Sequence, residues 1–569
     1  MERRLLLVFA LTFLVIILFQ PLFKKYLPQT PTSQPQSQTQ PQTQPQSTPA
    51  LASVTTPARV PNKTASRQAE VETETVVENG LYRITFTNRG GQVKSWILKK
   101  FDDDQGKPLE LVNRDAAAKY GYPLSLWTYD QTLRNRLNSA LFVTNSSGTV
   151  AAPAAITFEY ADQDVLVRKT FRCDDTYVVR VETAVTANGG YTAAYPMWPA
   201  GFGDELDPTS YAAGQIEYQY NGDTQRLAIK KISGGNTFQG PFNWAGVADQ
   251  YFAAVFLPED ATKAHLVTLR NSIDVPKDAQ KPNPQDTVKV EVLGAAVGNP
   301  YGPTTERMYV GPKSLAVLES VPVQGMTGAS PDLRALVDFG WLGLIARPLF
   351  LWLKWTYNHM VANWGWAIAI QTLIINLALL PLRISQMKSA LKMQKVAPQI
   401  KSIQEKYKKY SLRDPRKQEM NKEVSELYRR EGVNPVGGCI PLLIQMPFLF
   451  AYYRMLGVAL ELRHAPWLWI RDLSSPDPWH LLPIGIIITM LFTQRMTPQP
   501  GMDPAQQKMM NFMMPVMLGI ISWKLAAGLC LYWSEGNLIA IAQQAIMNRT
   551  ALGREMREMA LKRAKKKDK

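Results

Sequence analysis

Five apolar blocks in the C-terminal part of the chain, 361–382, 436–460, 481–496, 509–523 and 529–547, constrain the fold more than any other feature, together with one dense basic segment, 383–435, after the first block. Stretches near twenty apolar residues match the ~30 Å of bilayer hydrocarbon, where a helix satisfies its own backbone. Pro441, Pro447, Pro483 and Pro515 interrupt some of them, which the neighbouring helices of a bundle accommodate. A sixth block, 5–19, follows Met1-Glu2-Arg3-Arg4, and no small-residue cleavage site follows it, so residues 1–27 read as an uncleaved signal anchor. The expectation is a polytopic α-helical membrane protein of six spans. A uniformly soluble enzyme does not fit.

Charge sets the orientation. Segment 383–435 carries fourteen Lys/Arg against six Asp/Glu and the tail 548–569 nine against three, together +14 of the net +16. Basic segments beside spans stay cytoplasmic. Six spans with a cytoplasmic tail then put the N-terminus inside and the segment between the first two spans outside, in the periplasm of a Gram-negative inner membrane. Within 383–435, Met387, Leu391, Ile400 and Ile403, a break at Arg413-Asp414-Pro415, then Met420, Val424 and Leu427 read as a helical hairpin whose apolar stripe is too narrow for a core of its own. Its basic face suits plain solvation, ribosomal RNA, anionic lipid or a nascent chain, and charge does not rank these.

Residues 28–69, rich in Pro, Gln, Thr and Ser, read as a disordered tether. Over 70–330 the pattern changes to period two. Residues 81–87, the turn Asn88-Arg89-Gly90-Gly91 and residues 93–98 read as a hairpin, and 165–171, 177–185 and 288–293 repeat the signal, which together predict a large antiparallel β-sandwich. A hydrolytic or mutarotase-like role there needs a positioned acid and base, whereas its single histidine, His265, stands in no motif. Residues 331–360 read as an interfacial amphipathic helix. Cys173, Cys439 and Cys530 show neither metal-ligand spacing nor a disulfide framework, and no P-loop is present, so neither cofactor nor metal is expected.

The run Asn434-Pro435-Val436-Gly437-Gly438-Cys439-Ile440-Pro441-Leu442-Leu443-Ile444-Gln445-Met446-Pro447-Phe448 resembles the signature of YidC-type membrane protein insertases. Glu461-Leu462-Arg463, Trp469-Ile470-Arg471-Asp472-Leu473-Ser474, Asp503-Pro504 with Gln506-Gln507-Lys508, and Gly528-Leu529 with Leu531-Tyr532 resemble it in order and spacing. The anchor, tether and outside β domain resemble the Gram-negative form, in which that domain is a β-super-sandwich. The resemblance implies an insertase and chaperone, not an enzyme, acting alone or beside the Sec translocon. Its helices would surround a hydrophilic groove open to cytosol and lipid and closed toward the outside. Implied partners are nascent membrane proteins, the Sec translocon, the ribosome through the basic hairpin and tail, and anionic lipids, but not DNA. A wet notch lowers the cost of carrying polar peptide into hydrocarbon, while burial of the substrate's apolar span supplies driving force.

Candidate groove residues follow from the same reading. Thr372 and Asn376 lie about 40° apart on one helix face. The family carries an arginine five residues before the proline matching Pro381, and here that position is Asn376. Two replacements are open. Arg383, seven residues on, shares nearly the same face about 10 Å nearer the cytosol. Alternatively, Arg454 and Glu535 are intramembrane charges at matching depth and would form a pair at the groove's outer end. Thr372 and Trp533 match family positions that contact substrate, and Gln445 is polar within the signature span. The competing reading, a secondary transporter or channel with a periplasmic accessory domain, predicts repeated halves that the sequence lacks. A third, a carbohydrate-binding protein anchored by its helices, would put the activity in the β domain.

Overall fold

Period-two alternation builds strands as far as Pro312, and 3.6-residue periodicity builds helices from Gly343 onward. The computed structural model describes residues 66–551, 554 and 555, apart from 163, 207, 278–282, 284, 325–331, 409, 411–413, 434–439 and 497–508. The described chain separates into two units between Val337 and Asp338. The proposed anchor and most of the tether, part of the signature run and the Asp503–Lys508 motif fall outside the described residues.

Three sheets make up the first unit. One has five strands, Pro108–Glu110, Gln92–Asp102, Tyr82–Thr87, Glu74–Glu78 and Gly148–Ala151, in that spatial order. A ten-stranded sheet runs from Asp223–Ala228 at one edge to Val143–Thr144 at the other. A third is ordered Thr237–Gln239, His265–Pro276, Thr287–Gly298, Tyr195–Trp198 and Ser125–Trp127. The hairpin read from sequence pairs Tyr82 with Leu98, and Gly90 and Gly91 turn it with φ of 67° and 54°, a conformation that costs glycine little. The expectation of antiparallel pairing throughout is corrected at one place, where Gly148–Ala151 lies parallel to Glu74–Glu78. About seventy residues separate those strands, enough for the crossover that parallel pairing requires.

Inward positions carry large rings. Phe86 stacks on Phe171 at 5.1 Å, and Trp96 meets Trp198 at 6.3 Å. Val165, Val167, Phe171 and Cys173 of one strand point inward, and so does Lys169, fully buried at the same parity. Its Nζ donates to the carbonyls of Gly90, Gly91 and Leu124 at 3.0, 2.6 and 2.6 Å, tying the hairpin turn to a neighbouring segment. Burial pulls this amine down to about 7.

The second unit is helical: Gly343–His359, Trp364–Ala378, Leu380–Lys406, Arg416–Arg430, Ile440–Val458, Leu481–Met496, Met514–Ser522 and Ala527–Arg549. Block 361–382 is divided at Leu379, with Pro381 in the first turn of the following helix, where its missing N–H costs nothing. Block 509–523 opens with a π-helical turn, Met509–Met513, ahead of Pro515. Among the described residues no single helix is long and apolar enough to cross a membrane. Gly343–His359 and Trp364–Ala378 meet that measure as a pair bent by 120°, and Leu481–Met496 is a shorter apolar helix.

The basic hairpin does have a core, contrary to the expectation from its narrow stripe. Val396 and Ile400 of one helix pack on Val424 and Leu427 of the other, closed by Val433 and flanked by Met393, Ile403 and Tyr428. Two stripes too thin to form a core separately bury each other face to face. Glu423 accepts from Lys406 Nζ and Tyr407 Oη, each at 2.8 Å, beside this seam.

Candidate functional site

Asn363 caps the Trp364–Ala378 helix by accepting from Trp366 N at 3.2 Å. From there Ile368, Gln371, Thr372, Ile375 and Asn376 recur at the spacing of one helical face, and all are buried. Three of these five are polar. Buried polar groups are costly without partners, and each of the three has one. Gln371 Nε2 donates to the Leu349 carbonyl at 3.0 Å, while its Oε1 accepts from Tyr452 Oη at 2.8 Å. Thr372 donates back to the Ile368 carbonyl at 2.7 Å, and Asn376 Nδ2 to the Thr372 carbonyl at 2.8 Å.

Residues from three further helices complete the cluster. Tyr452 stacks on Tyr532 with ring centroids 4.0 Å apart and planes at 16°. Arg383 Nη2 donates to Asn376 Oδ1 at 3.0 Å, and the Tyr532 hydroxyl lies within electrostatic reach of that guanidinium. Gln543 Nε2 donates to the Asn376 carbonyl at 3.2 Å. Asn376 is therefore the junction, bonded to Thr372, Arg383 and Gln543. Arg383 turns its guanidinium toward Asn376, seven residues back. Since Arg383 itself is only half-buried, the cluster runs from a wholly enclosed end at Gln371 to a more open cationic end.

The postulated Arg454–Glu535 pair is not formed. Arg454 Nη2 donates instead to Asp338 Oδ2 at 2.8 Å and to the Asp338 carbonyl at 2.7 Å. Equal depth is a one-dimensional argument, and an acidic residue on the segment before the first helix of this unit met the guanidinium. Glu535 is half-buried on the Ala527–Arg549 helix, with Oε2 shielded from solvent and without a hydrogen-bond partner among the described residues. Trp533, on the same helix, is half-buried too. Gln445 lies on the Ile440–Val458 helix, but its side chain is outside the described residues. Sequence reasoning counted Gln371 with Thr372 and Asn376 among the polar residues of this block but assigned no role to Tyr452, Tyr532 or Gln543. Gln371 and Gln543 were visible as polar residues inside apolar blocks, whereas nothing in one sequence shows that two tyrosines on different helices stack.

Such an arrangement can hydrogen-bond and attract charge but has no nucleophile beside a base. Among the described residues no group of three or more His, Cys, Asp or Glu could hold a metal ion. In the β unit, an open cleft of 380 Å³ is lined by Tyr120, Ser233, Arg270 and Glu291 among others. Its polar groups are engaged with each other: Arg270 Nε donates to Glu291 at 2.9 Å, and Tyr120 Oη to the Ser272 carbonyl at 2.7 Å. Burial lowers the pKa of His265 and favours its neutral form, and the ring packs edge-on to Tyr195 and Tyr301.

Comparison with known proteins is informative over most of the chain. Residues 355–554 match the family described as 60Kd inner membrane protein, and residues 74–352 match the YidC periplasmic domain. The membrane protein insertase YidC of Bordetella avium is 30% identical over 491 residues, covering 84% of this chain and 83% of that protein. That of Geobacter metallireducens is 33% identical over 510 residues, covering 85% and 87%. Among solved structures, an active YidC insertase with its first transmembrane domain resolved aligns over 85% of this chain and 95% of its own, at 21% identity and a TM-score of 0.34.

Proposed function

The chain belongs to the YidC family of membrane protein insertases, inner-membrane proteins with a periplasmic domain, and from that premise we propose that the cluster around Asn376 is the polar wall along which a substrate's hydrophilic segment passes. The observation that carries this reading is a set of hydrogen-bonded polar side chains, Gln371, Thr372, Asn376, Arg383, Tyr452 and Gln543, gathered from four helices, most of them buried. A helix bundle meant only to pack would gain more from apolar residues at these positions, since each polar group must first be desolvated. A groove that carries polar peptide needs such groups on one wall.

In this reading the groove opens to cytosol and lipid and is closed outward, with Thr372, Asn376, Arg383, Gln445 and Trp533 facing substrate. Arg383, held by Asn376, supplies the cation that the family's arginine supplies seven residues earlier in register. The six blocks are spans, and both termini and the basic hairpin are cytoplasmic. Hairpin and tail, with +14 between them, dock the ribosome or anionic lipid, and the Sec translocon is a partner for larger substrates. The membrane-spanning part does the insertion without covalent chemistry, driven by burial of the substrate's apolar span.

The test is reconstitution of the full chain into liposomes with a short single-span substrate, read as protease-protected product. Protection well above protein-free vesicles is expected, and a variant carrying Asn376→Leu and Arg383→Leu together should lose about tenfold in initial rate, the scale of one charge-assisted hydrogen bond. Insertion no faster than in protein-free vesicles refutes the reading.

A further inference from the structure

Among the described residues, Glu535 is a carboxylate beside the cluster with no cation paired to it. Around it the polar side chains have partners: Ser534 Oγ donates to the Leu482 carbonyl at 3.3 Å, Asn537 Nδ2 to Thr489 Oγ1 at 3.2 Å, and Tyr452 Oη to Gln371. Among the described residues, Arg454 is engaged by Asp338 and Arg383 by Asn376, and neither pairs with Glu535. Glu535 nevertheless sits against the same wall. The neighbouring Gly536 is close enough that a Cβ there would stand 3.9 Å from Asn376 Nδ2, and the Glu535 carboxyl is within electrostatic reach of the Tyr452 hydroxyl. One of its oxygens is shielded from solvent and accepts no hydrogen bond among the described residues.

A carboxyl in that setting is destabilising on its own, because desolvation is not repaid by a fixed cation or donor. Removing it would favour folding, so its presence points to a partner that arrives and leaves. Resting on the insertase reading above, we infer that Glu535 is a transient binding point for a cationic side chain, Lys or Arg, in the segment a substrate moves across the membrane. Arg383 and Glu535 then make the wall bipolar. An acidic residue of the passing segment is met at the Asn376–Arg383 end, and a basic residue is met one helix over, beside Tyr452. The ammonium or guanidinium donates to the half-buried carboxylate, which has no fixed cation among the described residues, and the contact breaks when the segment reaches water on the far side. A neutral segment gains nothing from it.

The experiment compares three single-span substrates that differ at one position of the translocated segment, Lys, Gln or Asp, inserted by the full chain in liposomes. The readout is the ratio of Lys-bearing to Gln-bearing product, not the absolute rate. Glu535→Gln should lower that ratio about tenfold, the usual worth of a charge-assisted hydrogen bond. Glu535→Asp should keep most of it, and Glu535→Lys should invert it in favour of the Asp-bearing substrate. An equal loss on all three substrates, or an unchanged ratio in Glu535→Gln, overturns the inference and leaves Glu535 a packing residue. Failure of the unaltered chain to insert even the Gln-bearing substrate would instead overturn the insertase reading itself.

Discussion

Asp338→Asn tests which acidic residue holds Arg454. The guanidinium donates to both a carboxylate oxygen and the carbonyl of Asp338, and the two side chains are only 21% and 26% exposed. Removing one partner from a largely buried pair costs about 3–5 kcal/mol. The exposed fraction and the surviving carbonyl bond reduce this to about 2–3 kcal/mol. Units of 150–250 residues lose about 2–4 °C in Tm per kcal/mol, so a fall of roughly 4–12 °C is expected in the helical unit. Glu535→Gln, which removes an unpartnered carboxylate, should leave Tm unchanged or raise it. Thermal unfolding in detergent micelles, followed by helical circular dichroism, reads both, and Asp338→Asn combined with Arg454→Leu should be no worse than Arg454→Leu alone. The opposite ranking, with Glu535→Gln destabilising and Asp338→Asn silent, would refute the pairing and restore the depth argument.

Three further outcomes follow from the packing. With Lys169 titrating near 7 in the fold against about 10.4 in the unfolded chain, the unfolded state binds more protons between those values, so this residue's penalty is full below pH 7 and relieved as pH rises. Urea unfolding of the β unit, read by tryptophan fluorescence, should show a pH 9 minus pH 7 stability difference about 2–3 kcal/mol smaller in Lys169→Met, and an identical difference would show that Lys169 is not titrating there. Val424→Asp places a carboxylate in the fully buried seam of the hairpin and should cost at least about 3 kcal/mol, seen as faster trypsin cleavage within 383–435. Glu405→Ala, which breaks its pair with Lys401 in which the side chains are 63% and 75% exposed, should leave that rate unchanged. Tyr452→Phe keeps the ring stack on Tyr532 but orphans Gln371 Oε1, and a loss of about 1–3 kcal/mol in thermal unfolding is expected.

The order of the two units, the strand hairpin at Gly90-Gly91, the helical hairpin and the concentration of positive charge at 383–435 and 548–569 follow from local pattern, because periodicity and charge are properties of short windows. Motif order carried the family. Thr372 and Asn376 came within reach because both lie on one helix, where 100° per residue fixes relative direction, whereas Arg383 lies on the next helix, past the break at Leu379. Lys169 was legible in retrospect as the lone charge at inward parity in its strand, a warning that period two alone contains. Asp338 with Arg454, Tyr452 with Tyr532 and Gln543 with Asn376 were not legible: each joins residues far apart in the chain, and depth along a helix axis says nothing of rotation about it. The core of the basic hairpin failed for the same reason, since a stripe too narrow by itself becomes sufficient only when a second stripe closes over it. Sequence thus determined which segments are apolar, basic or strand-forming, and only tertiary packing decided which buried polar group answers which.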